Sequence, residues 1–248
     1  PLPFIGPPER SAIPLGSEGT DYWGCHSRKV QTSFNVYFEF DYHPLAEAKS
    51  VADIENYDWP SLDWWDYGAV PAAIKQINRR QPRAILCFAG GSFETPWYLR
   101  GLENFLLDLH EQPEIAAAIS RKVTDYFQQR ALRVLAAAQG QVDIVGSGGD
   151  IGEQRGMMLD PSVWRQVIKP EAARLVRPFK ERGLATYYHS CGSIVPVIDD
   201  LIEIGVDILD PIQVSAAGMK PEHLFSRFGD RLSFHGAIDE INVLPHCD

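Results

Sequence analysis

From about residue 70 onwards, short apolar runs alternate along this sequence with longer segments of helical periodicity. Each run is short and mainly apolar, as is typical of a strand that is covered on both faces. Strand, helix and strand repeated in this order predict a parallel sheet. The predicted strands are residues 83–89, 142–146, 185–189, 206–210 and 232–235, and the predicted helices are residues 113–138, 161–182, 194–204 and 221–228.

Prolines refine the helix predictions. Pro161 and Pro221 mark helix starts, because proline is tolerated in the first turn, where its missing N–H would have no partner. Pro170 lies inside the segment 161–182. We expect it to break or kink that helix after Lys169.

Two α/β architectures fit this alternation, a doubly wound sheet and a (β/α)₈ TIM barrel. A doubly wound sheet usually carries a glycine-rich phosphate loop after an early strand, and neither G-x-G-x-x-G nor G-x-x-x-x-G-K-[ST] occurs here. We therefore predict an α/β fold of the (β/α)₈ barrel type. Five strands, with one more extended stretch at residues 32–40, fall short of eight, so the barrel is expected to be incomplete at one or both ends.

The chain is predicted to form a single barrel domain over residues 1–248. A sequence of 248 residues that is 45% hydrophobic and 23% charged has the profile of a soluble protein with one sizeable core. Residues 1–70 are rich in proline, glycine, aromatic and acidic residues. They are predicted to form a less regular N-terminal portion, in which residues 32–40 alternate between aromatic and small side chains like a strand.

Charge and hydropathy argue against two classes of partner. A formal net charge of -10 opposes nucleic acid, because phosphate binding needs a clustered basic surface. No apolar stretch approaches the roughly 20 residues that a membrane-spanning helix needs. The four cysteines are widely scattered, which predicts a reducing, cytoplasmic setting. The first residue is Pro1 rather than methionine, so the start is expected to be trimmed or incomplete.

Polar or small residues follow every predicted strand. In a barrel, the loops after the strands converge on one mouth, where their side chains can act together. Histidine, cysteine, acidic and amide side chains gathered in this way predict an active site. Its candidate residues are Glu94, Asp150, Gln154, His189, Cys191, Gln213, His235 and Asp239.

His189 and Cys191 form the most specific pair in this set. They are two residues apart at the end of a predicted strand, so their side chains point the same way, and imidazole with thiolate is a good zinc pair. The alternative is structural, with Cys191 as a small buried hydrophobe and His189 as a hydrogen-bonded core residue. The flanking Gly192 and the strand-end position favour the metal.

A zinc site needs further ligands, and the sequence does not choose among them. Glu94 and Asp150 could instead act as acid and base or bind the polar end of a substrate, since partial burial at a barrel mouth shifts carboxyl pKa values. The glycine pairs at 90–91 and 148–149 either let a ligand approach the backbone or serve turn geometry alone. The candidate ligands are Glu94, Asp150, Glu153, His235, Asp239 and Cys247.

Several linked motifs together resemble the uroporphyrinogen decarboxylase superfamily. The resemblance runs from about Asp21 through Pro245, and it implies a (β/α)₈ barrel. The motifs that carry it are Asp21-Tyr22-Trp23-Gly24, Leu99-Arg100-Gly101, Gly149-Asp150-Ile151-Gly152-Glu153-Gln154, His189-Ser190-Cys191-Gly192-Ser193, Gly205-Val206-Asp207-Ile208-Leu209, Pro211-Ile212-Gln213 and Phe234-His235-Gly236-Ala237-Ile238-Asp239.

One branch of that superfamily uses zinc to move methyl groups between corrinoid (cobalamin) proteins and thiol or folate acceptors. The His-Ser-Cys-Gly-Ser segment looks like this branch, which implies that His189 and Cys191 are zinc ligands and that zinc lowers the pKa of an acceptor thiol. A corrinoid protein and a small thiol or folate acceptor are then the expected partners. Glu94 and Asp150 are the expected catalytic residues, and Gln154, Gln213, His235 and Asp239 the expected substrate contacts.

Two other functions remain open on the same resemblance. The other branch decarboxylates the acetate arms of uroporphyrinogen without a cofactor, although its N-terminal R-Q-A-G-R motif has no counterpart here. The third possibility is a non-catalytic module that binds a corrinoid or porphyrin. The family's last zinc cysteine usually lies on a later element, and Cys247 comes too early to match it.

Overall fold

The computed structural model describes residues 2–13 and 17–247, and it shows strands alternating with helices from residue 70 onwards. The strands are β1 (Gly19–Thr20), β2 (His26–Gln31), β3 (Val36–Tyr42), β4 (Leu86–Gly90), β5 (Ile144–Gly148), β6 (Ala185–His189), β7 (Ile208–Ile212) and β8 (Ser233–Gly236). The helices are α1 (Val51–Glu55), α2 (Val70–Ile77), α3 (Glu94–Arg100), α4 (Leu102–Glu111), α5 (Pro113–Ala138), α6 (Pro161–Val163), α7 (Lys169–Lys180), α8 (Ile198–Glu203) and α9 (Pro221–Phe228).

The central sheet consists of β4 to β8, each paired in parallel with the next strand along the chain. All five strands were predicted, but three of them begin two or three residues later than expected. The apolar residues Ile85, Val142 and Val206 are buried just before those strands. They lie outside the assigned strands although they pack in the core, so hydrophobicity extends the predicted strands beyond the regular ladder.

Within the described residues, helices pack on one face of this sheet. On that face α5 packs against β4, and α7 packs against β5 and β6. The other face carries Leu86 and Phe88, which are 43% and 49% exposed. A doubly wound sheet would carry helices on both faces, whereas a barrel wall carries them outside only. The predicted barrel-type α/β fold is thus confirmed, and within the described residues its wall is an open five-stranded arc edged by β4 and β8.

The longest helix, α5, has the predicted bounds. Its apolar residues Ile115, Ile119 and Val123 recur every fourth position and are buried, which places one stripe of the helix against the sheet. The helix ends where Gln139 adopts a left-handed conformation with φ 51°. In the described part of the chain, no helix combines the length and apolar character needed to cross a bilayer.

The helical segment is interrupted near Pro170, as predicted, but the irregular turn precedes Lys169 instead of following it. The segment begins as α6, widens into a π-helical turn over Trp164–Ile168, and continues as α7, with Pro170 in its first turn. The Lys169 N–H donates to the Trp164 carbonyl, five residues back. Because Pro170 has no N–H to donate, the change of helical register occurs where the ladder already lacks one bond.

The N-terminal portion differs from the prediction. The stretch 32–40, predicted as one strand, contains the turn of an antiparallel hairpin formed by β2 and β3. The Thr32 hydroxyl oxygen accepts hydrogen bonds from the N–H groups of Phe34 and Asn35 and thereby closes that turn. The prediction was wrong here because aromatic alternation continues through the turn.

A buried ion pair attaches the N-terminal portion to the barrel wall. Arg100 Nε donates to Asp108 Oδ2 over 2.7 Å, and both side chains are buried. Arg100 Nη1 also donates to three backbone carbonyls, those of Leu45, Ala46 and Ala48. The guanidinium therefore satisfies backbone carbonyls of a segment that lies outside the regular helices and strands.

Candidate functional site

The carboxyl ends of β5, β6 and β7 are held in register by backbone hydrogen bonds. Gly148 pairs with His189, and His189 pairs with Asp210. The Gly149 N–H donates to the His189 carbonyl over 2.9 Å, and the Ser190 N–H donates to the Asp210 carbonyl over 2.7 Å. Side chains that follow these strands consequently lie at one edge of the sheet.

Two glycine contacts bring the strand-end loops closer than other residues allow. A Cβ added to Gly91 would lie 1.6 Å from the carbonyl oxygen of Gly148, which is backbone and cannot turn aside. A Cβ on Gly192 would lie 2.3 Å from the Gly152 carbonyl carbon, and Gly192 has a φ of +78°. The glycines at these positions therefore serve loop-to-loop packing.

Asp150, His189 and Cys191 converge at this edge. Their ligand atoms all lie within 4.8 Å of one another. Asp150 Oδ1 is 3.5 Å from His189 Nε2, and Cys191 Sγ is 3.8 Å from the same nitrogen. Asp150 Oδ1 also accepts the Cys191 N–H over 2.8 Å. We call these three residues the triad.

The triad has the donor types and spacing that suit zinc. Metal–ligand bonds of about 2.0–2.3 Å at tetrahedral angles place ligand atoms roughly 3.3–3.8 Å apart. The two distances from His189 Nε2 agree with this spacing. Burial, the charge of Asp150 and a hydrogen bond to Asp150 raise the pKa of the Cys191 thiol to about 12. A cation would reverse this unfavourable setting for a thiolate.

Asp210 supports the imidazole from behind, and it was not among the predicted site residues. Its Oδ2 accepts from His189 Nδ1 over 2.7 Å, and its Oδ1 accepts from His235 Nδ1. Burial opposes ionisation, but hydrogen bonds from His235, Tyr187 and His189 together hold the pKa of Asp210 below its usual value. An ionised Asp210 keeps the proton on Nδ1 of His189, which leaves Nε2 free to bind a metal. Its position at a strand end beside His189 is the sequence cue that could have identified it.

Glu94 lies beside the triad at the start of α3. One of its carboxylate oxygens, Oε1, accepts from the Tyr98 hydroxyl over 3.2 Å, and the carboxylate also accepts the backbone N–H of Asp150. Burial and the charge of Asp150 raise the pKa of Glu94. The two predicted catalytic carboxylates, Glu94 and Asp150, are thus brought together.

The predicted substrate contacts are placed unevenly. His235 shares Asp210 with His189, and Gln213 Oε1 accepts the Gly192 N–H over 2.7 Å, so both lie beside the triad. Gln154 is exposed, and its backbone carbonyl accepts from Ala217. Asp239 closes an exposed turn by accepting from the Ile241 and Asn242 N–H groups.

The other candidate zinc ligands lie outside the triad. The backbone of Glu153 bonds to Gly156 and Ser193, while its side chain is exposed. Cys247 is an exposed free thiol. In the described residues, the group of metal-ligating side chains contains neither of them.

A cavity of about 320 Å³ adjoins the triad on the β4 side. Glu94 and Gly148 belong to its wall, and the N-terminal hairpin covers it with Phe38 and Phe40. No local sequence pattern indicates this cavity, because its wall combines segments that are distant along the chain. The complete lining is Ile13, Asp21, Tyr22, Trp23, Ser27, Phe38, Phe40, Phe88, Gly90, Gly91, Glu94, Thr95, Tyr98, Phe127, Arg130 and Gly148.

Comparison with known proteins agrees with this architecture. Among solved structures, a methyltransferase from Methanosarcina mazei matches with a TM-score of 0.59 and 16% sequence identity over 82% of this chain. This chain spans 58% of the length of that methyltransferase. No curated protein sequence matches.

The family model described as uroporphyrinogen decarboxylase (URO-D) matches residues 35–244. The matched region contains the triad, Asp210 and all five strands of the parallel sheet. Because this match covers most of the chain, the protein belongs to the uroporphyrinogen decarboxylase family.

Proposed function

We propose that this protein is a zinc-dependent methyltransferase that moves a methyl group between the corrinoid (cobalamin) of a partner protein and a small thiol or folate acceptor. Asp150, His189 and Cys191 would hold the zinc. The observation that carries the proposal is the convergence of their ligand atoms within 4.8 Å at the mouth of the barrel wall. The likeness to the Methanosarcina mazei methyltransferase supports the same fold.

Zinc, when bound, would lower the pKa of an acceptor thiol so that a thiolate is available at neutral pH. Residues of this chain orient the proposed zinc ligands. Asp210 holds Nδ1 of His189, so that Nε2 faces Asp150 and Cys191. Asp150 orients the Cys191 segment by accepting its N–H.

The transfer exchanges one bond of the methyl carbon for another. In the direction of the acceptor, the bond to the corrinoid cobalt breaks, a bond to the acceptor sulfur forms, and the cobalt–carbon electron pair stays with the corrinoid. The thiol proton passes to water, which reaches the triad because the His189 and Asp150 side chains are 36% and 39% exposed. The same openness gives a corrinoid carried by another protein access to the mouth.

We also propose roles for the remaining predicted site residues. Glu94 borders both the triad and the cavity, which suits a catalytic carboxylate that positions the acceptor. Gln154, Gln213, His235 and Asp239 are proposed as substrate contacts. We place the protein in the cytoplasm, because a Cys191 ligand has to remain a reduced thiol.

Zinc affinity tests the metal centre directly. Protein stripped with a chelator is titrated with Zn²⁺ in competition with a chromophoric chelator, for the unaltered protein, Cys191→Ala and Cys87→Ala. Cys87 is a partly buried free thiol on β4 outside the triad, and it serves as the matched control. We expect one tight site that Cys191→Ala loses and Cys87→Ala keeps.

Methyl transfer tests the reaction. Methylcobalamin is offered with a panel of small thiols and with tetrahydrofolate, and its absorbance is followed with and without zinc. We expect zinc-dependent loss of the methylcobalamin spectrum that Cys191→Ala abolishes. Absence of zinc together with unchanged transfer by Cys191→Ala would overturn the proposal. Turnover of uroporphyrinogen without added metal would replace it with decarboxylation.

A further inference from the structure

One arginine in the wall of the cavity lacks the partner that comparable arginines have. In the described residues, Arg10, Arg100, Arg130 and Arg174 are at least partly buried. Three of them have a carboxylate oxygen within 4.0 Å, and Arg130 does not. Its polar contact is Nη1 to the Tyr22 hydroxyl at 3.3 Å. Most of the donors of this guanidinium are therefore available to a ligand.

Aromatic rings hold the Arg130 guanidinium in place. Its central carbon lies 5.1 Å from the centre of the Trp65 ring and 5.4 Å from that of Phe127. Stacking of this kind fixes the planar group without using its in-plane N–H donors. The result is a fork of donors at the wall of an otherwise largely aromatic cavity.

The two acids of the cavity are already engaged by the protein. Asp21 Oδ1 accepts the Cys25 N–H over 2.9 Å, and the Asp21 carboxylate also accepts from Trp23 and Gly24. Glu94 accepts from the Tyr98 hydroxyl and the Asp150 N–H. The charged group of the cavity that still has hydrogen-bonding capacity is thus the Arg130 guanidinium, which is positive. The chain as a whole, in contrast, carries a formal net charge of -10.

We propose that this cavity binds a small organic carboxylate whose charged end is held by Arg130. A planar guanidinium matches a carboxylate through two parallel hydrogen bonds. The aromatic wall formed by Trp23, Phe40 and Phe127 receives the apolar body. A volume of about 320 Å³ lies at the small end of ligand sites, so a single-ring compound is the appropriate size. The bound molecule would lie next to Glu94.

Three probes of one shape test the charge preference. The metal-free protein is titrated with 3-phenylpropionate, 3-phenylpropan-1-ol and 3-phenylpropylamine, by calorimetry and by Trp fluorescence. We expect the carboxylate to bind about 10-fold or more tightly than the alcohol, as a charge-assisted hydrogen-bonded pair predicts. We expect the amine to bind most weakly. Tightest binding of the amine, or no binding of the carboxylate at millimolar concentration, would overturn the proposal.

Variants assign the preference to Arg130. Arg130→Gln should abolish the advantage of the carboxylate over the alcohol, while Arg133→Gln should preserve it. Arg133 is the matched control, because it lies on the same helix, stacks over Tyr67, pairs with Asp63 and does not line the cavity. Thermal melting checks that each variant folds.

Arg130→Lys keeps the assignment testable if Arg130→Gln is unfolded. This variant retains the charge without the fork, so the carboxylate should still bind more tightly than the amine but with a smaller advantage over the alcohol. Equal binding of the carboxylate by a folded Arg130 variant and the unaltered protein would overturn the assignment. The titrations use neither zinc nor a corrinoid, so their outcome is independent of the test of methyl transfer.

Discussion

The triad and the cavity share the mouth of the barrel wall, but they are held together in different ways. The triad lies on the ends of neighbouring parallel strands, where backbone hydrogen bonds and loop-to-loop glycine contacts set the positions of its residues. The cavity borders the same frame at Gly90, Gly91 and Gly148, but most of its wall consists of side chains from the N-terminal portion, α3 and α5. A backbone frame suits a metal that demands a particular geometry, whereas a wall of side chains can adapt to an organic ligand. Substitutions should therefore act differently on the two sites.

The largest effect on stability is expected at Gly91, where the loop after β4 lies directly against the backbone of β5. In Gly91→Ala, the added Cβ would lie 1.6 Å from the Gly148 carbonyl oxygen, so the β4 and β5 loops must separate. We expect a loss of about 3 kcal/mol or more in the free energy of unfolding, measured by denaturant titration. Gly156→Ala is the control, since nothing lies within 4 Å of its added Cβ. Equal stability of the two variants would contradict the importance of this contact.

The second prediction uses a substitution that removes the charge of Asp150 but retains an acceptor for its hydrogen bond. Asp150→Asn keeps an oxygen that can accept the Cys191 N–H but removes the negative charge. We expect zinc affinity to fall by more than about 100-fold with little change in thermal stability, because the metal loses a charged ligand. Asp199→Asn is the control, since Asp199 is exposed and pairs with Arg227 and Arg231 on the surface. Unchanged zinc binding in Asp150→Asn would show that this residue is not a zinc ligand.

A smaller effect is expected from the carboxylate behind the triad. Asp210→Asn weakens the hydrogen bonds that orient His189 and His235 and frees the His189 proton to move to Nε2. We expect zinc affinity to fall between about 10-fold and 100-fold, as is typical for lost supports of a ligand histidine. Competition titration measures the affinity, and NMR of the imidazole nitrogens reports the tautomer. A loss of affinity without a change of tautomer would contradict the orienting role.

The smallest effect concerns the cavity side. Burial raises the pKa of Asp21 to about 6, despite hydrogen bonds from the Cys25, Trp23 and Gly24 N–H groups. The unfolded value is about 3.9, so the folded state loses stability as the pH rises from about 4 to 6 and Asp21 ionises. Asp21→Asn should remove this loss. Relative to the unaltered protein, its stability should be on the order of 1 kcal/mol more favourable at pH 7.5 than at pH 4.

Comparison of the two pH values cancels the direct effect of exchanging a carboxylate for an amide. Denaturant titrations of both proteins at each pH supply the four free energies. Asp41→Asn is a useful control, because Asp41 is an exposed acid of the neighbouring β2–β3 hairpin whose pKa is lowered by its hydrogen bond to His26. It should show the opposite dependence on pH. A difference for Asp21→Asn that does not change with pH would contradict the burial of this charge.

The sequence predicted the parallel sheet and placed Asp150, His189 and Cys191 at one rim, although it left the ligands beyond His189 and Cys191 open, and it did not predict the cavity. Strand ends in a parallel sheet meet at one edge, so residues such as Asp150 and His189 can be brought together from periodicity alone. Asp210 was overlooked because a strand-end position does not show that its carboxylate accepts from two imidazoles, those of His189 and His235. The wall that joins Phe40 to Arg130 depends on how a hairpin packs against a helix, and no local pattern encodes that contact.

Glu94 connects the triad with the cavity, since its carboxylate accepts the backbone N–H of Asp150 and also lines the cavity. We expect this shared group to link the two proposed binding equilibria thermodynamically. Whatever factor a cavity ligand applies to the zinc dissociation constant, zinc must apply the same factor to the dissociation constant of that ligand. A ligand of the proposed cavity site that changes the zinc affinity of the triad would have its own affinity changed by the same factor, so two titrations performed in opposite order must return one coupling constant.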